Sequence, residues 1–374
     1  MFSRRTLLRS LPVTALLLAQ VTLSPLADAT PGDLDADFGG DGKVKTAPAP
    51  RGGLANAVAI QADGRIVVAG QSVGSKPKFA VVRYNTDGTL DTTFGGDGKV
   101  ITNFAKGDDQ GNAVAIQADG KIVVAGGSGN GGANPKFALA RYNTDGALDS
   151  TFDGDGKVTT DFTDGFETAN AVAIQGDEKI VAAGNASGGP ALARYNTDGT
   201  PDSTFGGDGK VLPEVACCAV VSVYDATLQP DGKIVTAGEW FECFGAGDCG
   251  TNLMVVRYNT DGTLDTSFSS DGVAFGICGR ANALTIQADG KIVAAGVVDC
   301  GSLPGKSQGD FLLARYDTDG TRDGTFGKRG RVLTSFTRNW DEAMGVGIQA
   351  DGKIVAAGGG GLHPKFAVAR YLSS

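Results

Sequence analysis

Apolar and polar positions along the chain follow one repeated pattern. The clearest copy starts at Asn112 with NAVAIQADGKIVVAG, passes through a variable loop into FALARYNTDGALDSTF, and ends with DGDGKV at Val158. Short apolar runs rich in Val, Ile, Ala, Phe and Tyr alternate with Asp-Gly and Asn-Thr-Asp-Gly turn signals, which marks strands rather than helices. No segment sustains a helical period. Each copy reads as four strands: Asn112–Gln117, Lys121–Gly126, Phe137–Asn143, and a fourth beginning at Gly156–Val158. In the first, Ala113 and Ala115 point one way and Val114 and Ile116 the other. With both faces apolar, such a strand needs a packed neighbour on each side.

Six glutamines mark the copies: Gln61, Gln117, Gln175, Gln229, Gln287 and Gln349. A period of this size built from short strands means a propeller or a related array. The ends are complementary. LDADFGGDGKV (Leu34–Val44) supplies a connector and fourth strand without the strands before them, and FAVARYLSS (Phe366–Ser374) ends on a third strand. The expectation is an all-β, six-bladed β-propeller with four strands per blade. Its ring would be closed by the N-terminal strand pairing with the C-terminal blade, since an open solenoid needs capping repeats that neither end resembles.

These residues carry a family resemblance. The run LDxTFGxDGKV, together with NAVAIQADGKIVVAG and FALARYNTDG, resembles the delta-60 repeat family of bacterial propeller proteins over roughly residues 34–374. The resemblance implies an exported propeller. It implies no agreed activity and no catalytic residues.

Composition adds a compartment. Arg4, Arg5 and Arg9 precede an apolar stretch from Leu11 to Leu23, and Ala27-Asp28-Ala29 is an A-x-A cleavage site, so residues 1–29 read as an export signal. Ser3-Arg4-Arg5 with Leu7-Leu8 resembles the twin-arginine signal. Residues 30–374 are then a single propeller domain, periplasmic or extracellular. No later apolar run is long enough to span a membrane. The net charge of −9 argues against nucleic acid as a partner. The chain contains 58 Gly without a collagen period, which assigns them to turns. A monomer is expected.

The candidate chemistry sorts by face. Arg83, Arg141, Arg194, Arg257, Arg315 and Arg370 each precede a Tyr, and Asp35, Asp91, Asp149, Asp202, Asp265 and Asp323 recur in the connectors. They suggest one structural Arg–Asp pair per blade rather than a ring of functional charges. The NTDG turns offer oxygen ligands for Ca²⁺. Turn chemistry explains the same residues, and Lys328-Arg329 stands where other copies have Gly-Asp. No cofactor is expected. Glu178 replaces the turn Gly of the third copy.

In the four-strand reading, the 2–3 and 4–1 loops share one face, and the irregular residues fall there. They include Cys217, Cys218, Cys243, Cys249, Cys278 and Cys300, an even set that reads as disulfides. Trp240, Phe241, Phe244, Trp340, Asp341 and Glu342 are the candidate ligand-binding residues, because exposed rings beside carboxylates suit a glycan or a protein. The leading reading is a binding or scaffolding propeller. The alternatives are a purely structural envelope protein and a carboxylate-based hydrolase or lyase using Asp108, Asp109, Asp164, Glu167, Asp341 or Glu342. With His363 the only histidine, and no nucleophile motif beside it, a Ser-His-Asp site finds no support.

Overall fold

In a computed structural model of the chain, residues 34–104, 107–130, 133–213, 220–243, 249–299, 309–337, 340–360 and 365–372 are described. They form strands and turns without a helix. Six antiparallel sheets follow one another: five with four strands, over residues 53–102, 109–160, 167–211, 220–278 and 280–334, and a sixth with three, over 341–371. Each sheet keeps chain order, so every strand pairs with the next in sequence. The first strands are Gly53–Ile60, Asp109–Ile116, Glu167–Ile174, Val220–Leu228, Arg280–Ile286 and Asp341–Ile348. They pack against one another from sheet to sheet, and so form the inner wall of the array. Apolar side chains between facing sheets make the core. Phe79, Val81 and Phe94 of the first sheet lie with Ile122, Val124 and Tyr142 of the second. Strands of the second sheet run beyond their expected ends into the variable face, as Asp109–Ile116, Ile122–Asn130 and Ala133–Tyr142.

At the opposite, constant face one arrangement recurs five times. Arg83, Arg141, Arg194, Arg257 and Arg315 donate from Nε to Asp91, Asp149, Asp202, Asp265 and Asp323 at 2.6–2.8 Å. The guanidinium lies 4.5–4.8 Å from the ring centroid of Phe94, Phe152, Phe205, Phe268 or Phe326. In the first four sheets Nη1 donates to the carbonyl of Thr144, Thr197, Thr260 or Thr318 in the next sheet's turn. The connector adds a backbone bond to the same turn, such as Gly95 N to Asp145 O at 2.8 Å. Each Arg thus closes its own sheet, and the first four fasten theirs to the following one. Burial pushes these aspartates up, but Thr or Ser hydroxyls, Lys and Arg outweigh it and hold Asp202, Asp265 and Asp323 well below the usual carboxylate range.

Among the described residues the two termini do not pair as expected, and the sheets are not closed into a ring. Residues 34–44 make a turn and no strand, and Lys365–Tyr371 has no fourth partner. The N-terminal connector does dock on the first sheet as every connector docks on its successor, with Gly39 N donating to Asp87 O at 2.8 Å. Its other half has no counterpart: Asp35 and Arg370 are both exposed. Apolar surface stays open on both sides. Val368 is exposed where Val81, Leu139, Leu192, Val255 and Leu313 are fully buried, and Val58 and Ile60 on the first sheet are exposed as well.

The strand 1–2 turns use Gly64, Gly120, Gly232, Gly290 and Gly352 at positive φ, and Glu178 holds the same conformation at φ 64°. A left-handed non-Gly residue is strained by roughly 1–2 kcal/mol. Glu178→Gly is therefore expected to raise stability by about 0.5–1 kcal/mol, seen as a higher urea midpoint. Asp202→Asn strips a buried Arg194 of its counter-charge and should cost about 3 kcal/mol. The wild-type contribution of Asp202 is fully present above the unfolded carboxylate pKa and is lost progressively as pH falls from there through the depressed folded value. The stability gap between wild type and Asp202→Asn should accordingly shrink in acid, which paired urea melts at pH 7 and pH 3 would show.

Candidate functional site

One repeat-wide glycine builds the variable end of the inner wall. A Cβ on Gly70, Gly126, Gly184, Gly238, Gly296 or Gly358 would lie 1.8–2.0 Å from a carbonyl oxygen of the adjacent first strand, so only Gly allows the approach. The close approach accompanies a β-bulge in each first strand, which leaves Asn56, Asn112, Asn170, Tyr224, Asn282 and Met344 unpaired. Bulges re-aim side chains. Four of the asparagines reach the next sheet: Asn56 Nδ2 donates to Gly111 O at 2.8 Å, Asn112 to Ala169 O at 2.9 Å, Asn170 to Val223 O at 2.7 Å and Asn282 to Ala343 O at 2.9 Å. These bonds tie the inner wall together beside the mouth.

The fourth and sixth sheets break the rule, with Tyr224 and Met344 at the Asn position, and a polar network runs across the fourth to sixth sheets. Tyr224 stands in an Asn position and donates to Glu239 Oε1 at 2.7 Å. Burial, then the neighbouring Glu239 carboxylate, pushes the phenol up to about 12. Arg280 donates from Nε and Nη2 to Glu342 Oε1 at 3.0 and 2.7 Å. Asn282 Nδ2 donates to the same oxygen at 2.7 Å, and Trp340 Nε1 to Glu342 Oε2 at 3.0 Å. Burial raises the Glu342 carboxyl, but the Trp340, Arg280 and Asn282 bonds and the Arg280 charge bring it below its ordinary value, so it is ionised at neutral pH. Asp225 stands where other copies have Ala. It accepts from Leu284 N of the fifth sheet at 2.8 Å and from Ala226 N at 2.8 Å, which replaces the missing Asn bond at that junction.

The aromatic candidates divide. Trp240 is 7% exposed, belongs to the core between the third and fourth sheets, and meets Phe275 edge-on at 4.8 Å. Phe241 and Trp340 are 38% and 40% exposed. Trp340 lies over Gly309, with its N–H fixed by Glu342. Phe244 and His363 lie outside the described residues. Of the candidate carboxylates, Asp109, Glu167 and Asp341 are fully buried and serve the loops. Asp341 accepts from Phe336 N and Thr337 N, Glu167 from Phe162 N, and Asp109 from Ser128 and Phe104 N. Glu342 alone of the candidate carboxylates enters the network. Tyr224, Asp225 and Arg280 were not singled out in the sequence, although Tyr224 and Asp225 depart from their columns of the repeat.

Cys278 is disulfide-bonded. The backbones of Cys243 and Cys249 face each other across a hairpin, while Cys217, Cys218 and Cys300 lie outside the described residues. In the NTDG turns, Asp87, Asp145, Asp198, Asp261 and Asp319 accept the backbone N–H two residues on, as turn residues do. Among the described residues no cluster of three His, Cys, Asp or Glu could hold a metal, and no helix is long and apolar enough to cross a membrane.

Five segments, residues 61–94, 117–152, 175–205, 229–268 and 287–326, match a family model described as a domain of unknown function (DUF5122) beta-propeller. The chain is a β-propeller repeat protein. Curated proteins yield no match. Among solved structures it is similar to virginiamycin B lyase from Staphylococcus aureus, at 11% identity and TM-score 0.46, covering 85% of this chain and 83% of that one. It is also similar to a polysaccharide lyase of family PL25, an ulvan lyase, at 14% identity and TM-score 0.42, covering 84% and 80%. A protein from Lactobacillus plantarum aligns at 14% identity and TM-score 0.45, covering 82% and 81%. At such identities these likenesses say nothing of activity.

Burial pushes the Asp225 carboxyl up to about 6, against the pull of the Leu284 and Ala226 N–H groups. A raised folded pKa gives stability that is present below the unfolded value and lost as pH rises through about 6. Relative to Asp225→Ala, wild type should therefore lose stability between pH 4.5 and pH 7.5 in urea melts. A pH-independent difference would refute a titrating Asp225.

Proposed function

We propose that the chain is an exported six-bladed propeller that binds or scaffolds a glycan or protein partner through its variable face. The observation that carries this reading is where the repeat is broken. The constant face repeats its Arg–Asp–Phe arrangement five times, while the mouth on the variable face carries Tyr224 in place of a repeat Asn, joins Glu239, Arg280 and Glu342 from columns that vary from copy to copy, and exposes Trp340 beside them. Loops and strand ends on a rigid scaffold are where binding residues collect. Export rests on residues 1–29, with the twin-arginine motif as the route and disulfides pinning the long loops. A carboxylate hydrolase or lyase is the second reading. It is weakened because Asp109, Glu167 and Asp341 are engaged by their own loops.

In this reading the N-terminal segment closes the ring as the sixth blade's fourth strand. The register of the third sheet, Leu192 with Val211 and Ala193 with Lys210, would put Val44 beside Val368 and Lys43 beside Ala369. Asp35 would then pair with Arg370. A double-mutant cycle on Asp35→Ala and Arg370→Ala, measured by urea unfolding of the mature chain, should give a coupling of at least about 1 kcal/mol. Additive losses would rule the closure out.

Partner binding is tested by tryptophan fluorescence during titration with envelope polysaccharides and envelope protein fractions. Because Trp240 is buried, the signal should come from Trp340, and a saturable change should vanish in Trp340→Ala. A flat response throughout would leave a structural propeller.

A further inference from the structure

The first three sheets meet at a second concavity on the variable face, remote in the repeat from the Glu342 network. It is a cleft of about 610 Å³ between the ends of the first strands and the adjoining loops, within the range of roughly 300–1,000 Å³ typical of small-ligand sites. Its polar groups occupy the same two columns of the repeat as that network. Gln110 and Thr168 stand where Arg280 and Glu342 stand in the fifth and sixth sheets, and Gln71 where Glu239 stands in the fourth. The column that carries charge on one side of the mouth carries amide and hydroxyl on the other. Gly127 continues the Gln71 column in the second sheet. Its missing side chain leaves the cleft open, since a Cβ there would reach Thr168 Oγ1 at 3.2 Å.

We propose that this cleft binds an uncharged saccharide, a finer assignment that rests on the reading of the variable face as a binding surface. The Gln71 and Gln110 amides line it and make no hydrogen bond to another described side chain or backbone group. Each presents a donor pair and an acceptor, the combination that matches vicinal hydroxyls. Phe166 borders them with 60% of its surface exposed, a flat apolar face for the C–H side of a sugar ring. Asp108 and Lys76 bring opposite charges to the rim, and the third charge in the lining, Asp109, is buried and paired with Lys78 Nζ at 3.5 Å, so the cleft offers little charge with which to select an ion. An extended peptide fits less well. It would need free backbone acceptors along a strand edge, and the lining carbonyls of Pro77, Gly107 and Asp108 already accept from Asp109 N, Lys78 Nζ and Gly129 N.

The test is calorimetric titration of the mature, oxidised protein with neutral oligosaccharides of several linkages, with uronate oligosaccharides and with an unstructured peptide library. At least one neutral oligosaccharide should bind saturably. Gln110→Ala and Phe166→Ala, both at exposed positions, should each weaken it about tenfold, the equivalent of one lost hydrogen bond or ring contact. Gly127→Val fills the cleft and should abolish binding, with its melting curve confirming the fold; if it does not fold, the two exposed variants decide alone. Binding that survives Gln110→Ala and Phe166→Ala, preference for uronates or peptides, or silence across the neutral panel would each overturn the assignment. If the panel is silent while Trp340→Ala still abolishes envelope binding, the cleft is wrong and the binding face stands. If envelope binding is absent as well, the broader reading falls with it.

Discussion

The buried arginine of the third strand in the first five sheets is the interaction on which the array depends. It meets a carboxylate, an aromatic ring and, in the first four sheets, a carbonyl of the next sheet in one place. A guanidinium suits this duty because its planar fork can donate in several directions while its face lies on a ring. Removing that charge from water is costly, and the cost is met only when all partners are present. The recurrence of Phe, Asp and Thr or Ser at fixed distances from the Arg follows from that requirement. One end of each of these sheets is thereby held by local chemistry, and the other is released to vary.

That release shapes the mouth. The glycine of each second strand lets the first strand bulge, and the bulge turns one residue per sheet toward its neighbour. Where that residue is Asn, the junction is closed by an amide that bonds a main-chain carbonyl. Where it is Tyr224, the side chain bonds Glu239 instead, and Asp225 takes over the junction at the expense of a carboxyl poised near neutrality. Structural and candidate binding groups are thus neighbours in the same strand, separated by the two-residue period of the pleat and its interruption.

Much of this was legible in the sequence. The four strands per copy, the Arg–Asp pairing and the strain at Glu178 follow from spacing, because repeats expose their own rules. The site was less legible for two reasons. The length of a strand cannot be read from alternation alone, so Trp240 looked like an exposed loop residue and is buried within the strand Ile234–Cys243, while Arg280 passed unnoticed. Carboxylates beside loops look alike in sequence, yet Asp341 folds back onto Phe336 and Thr337 while its neighbour Glu342 meets Arg280 and Trp340. Aligning the copies column by column would have marked Tyr224 and Asp225 as departures.

The clamps reach in one direction only, each sheet grasping its successor. The array therefore has a head and a tail with different surfaces: Val58 and Ile60 at one end, Val368 and Arg370 at the other. These ends complement each other rather than themselves. Copies that meet through these ends would join heterologously, head to tail, into fibres or larger rings, and not as two-fold dimers.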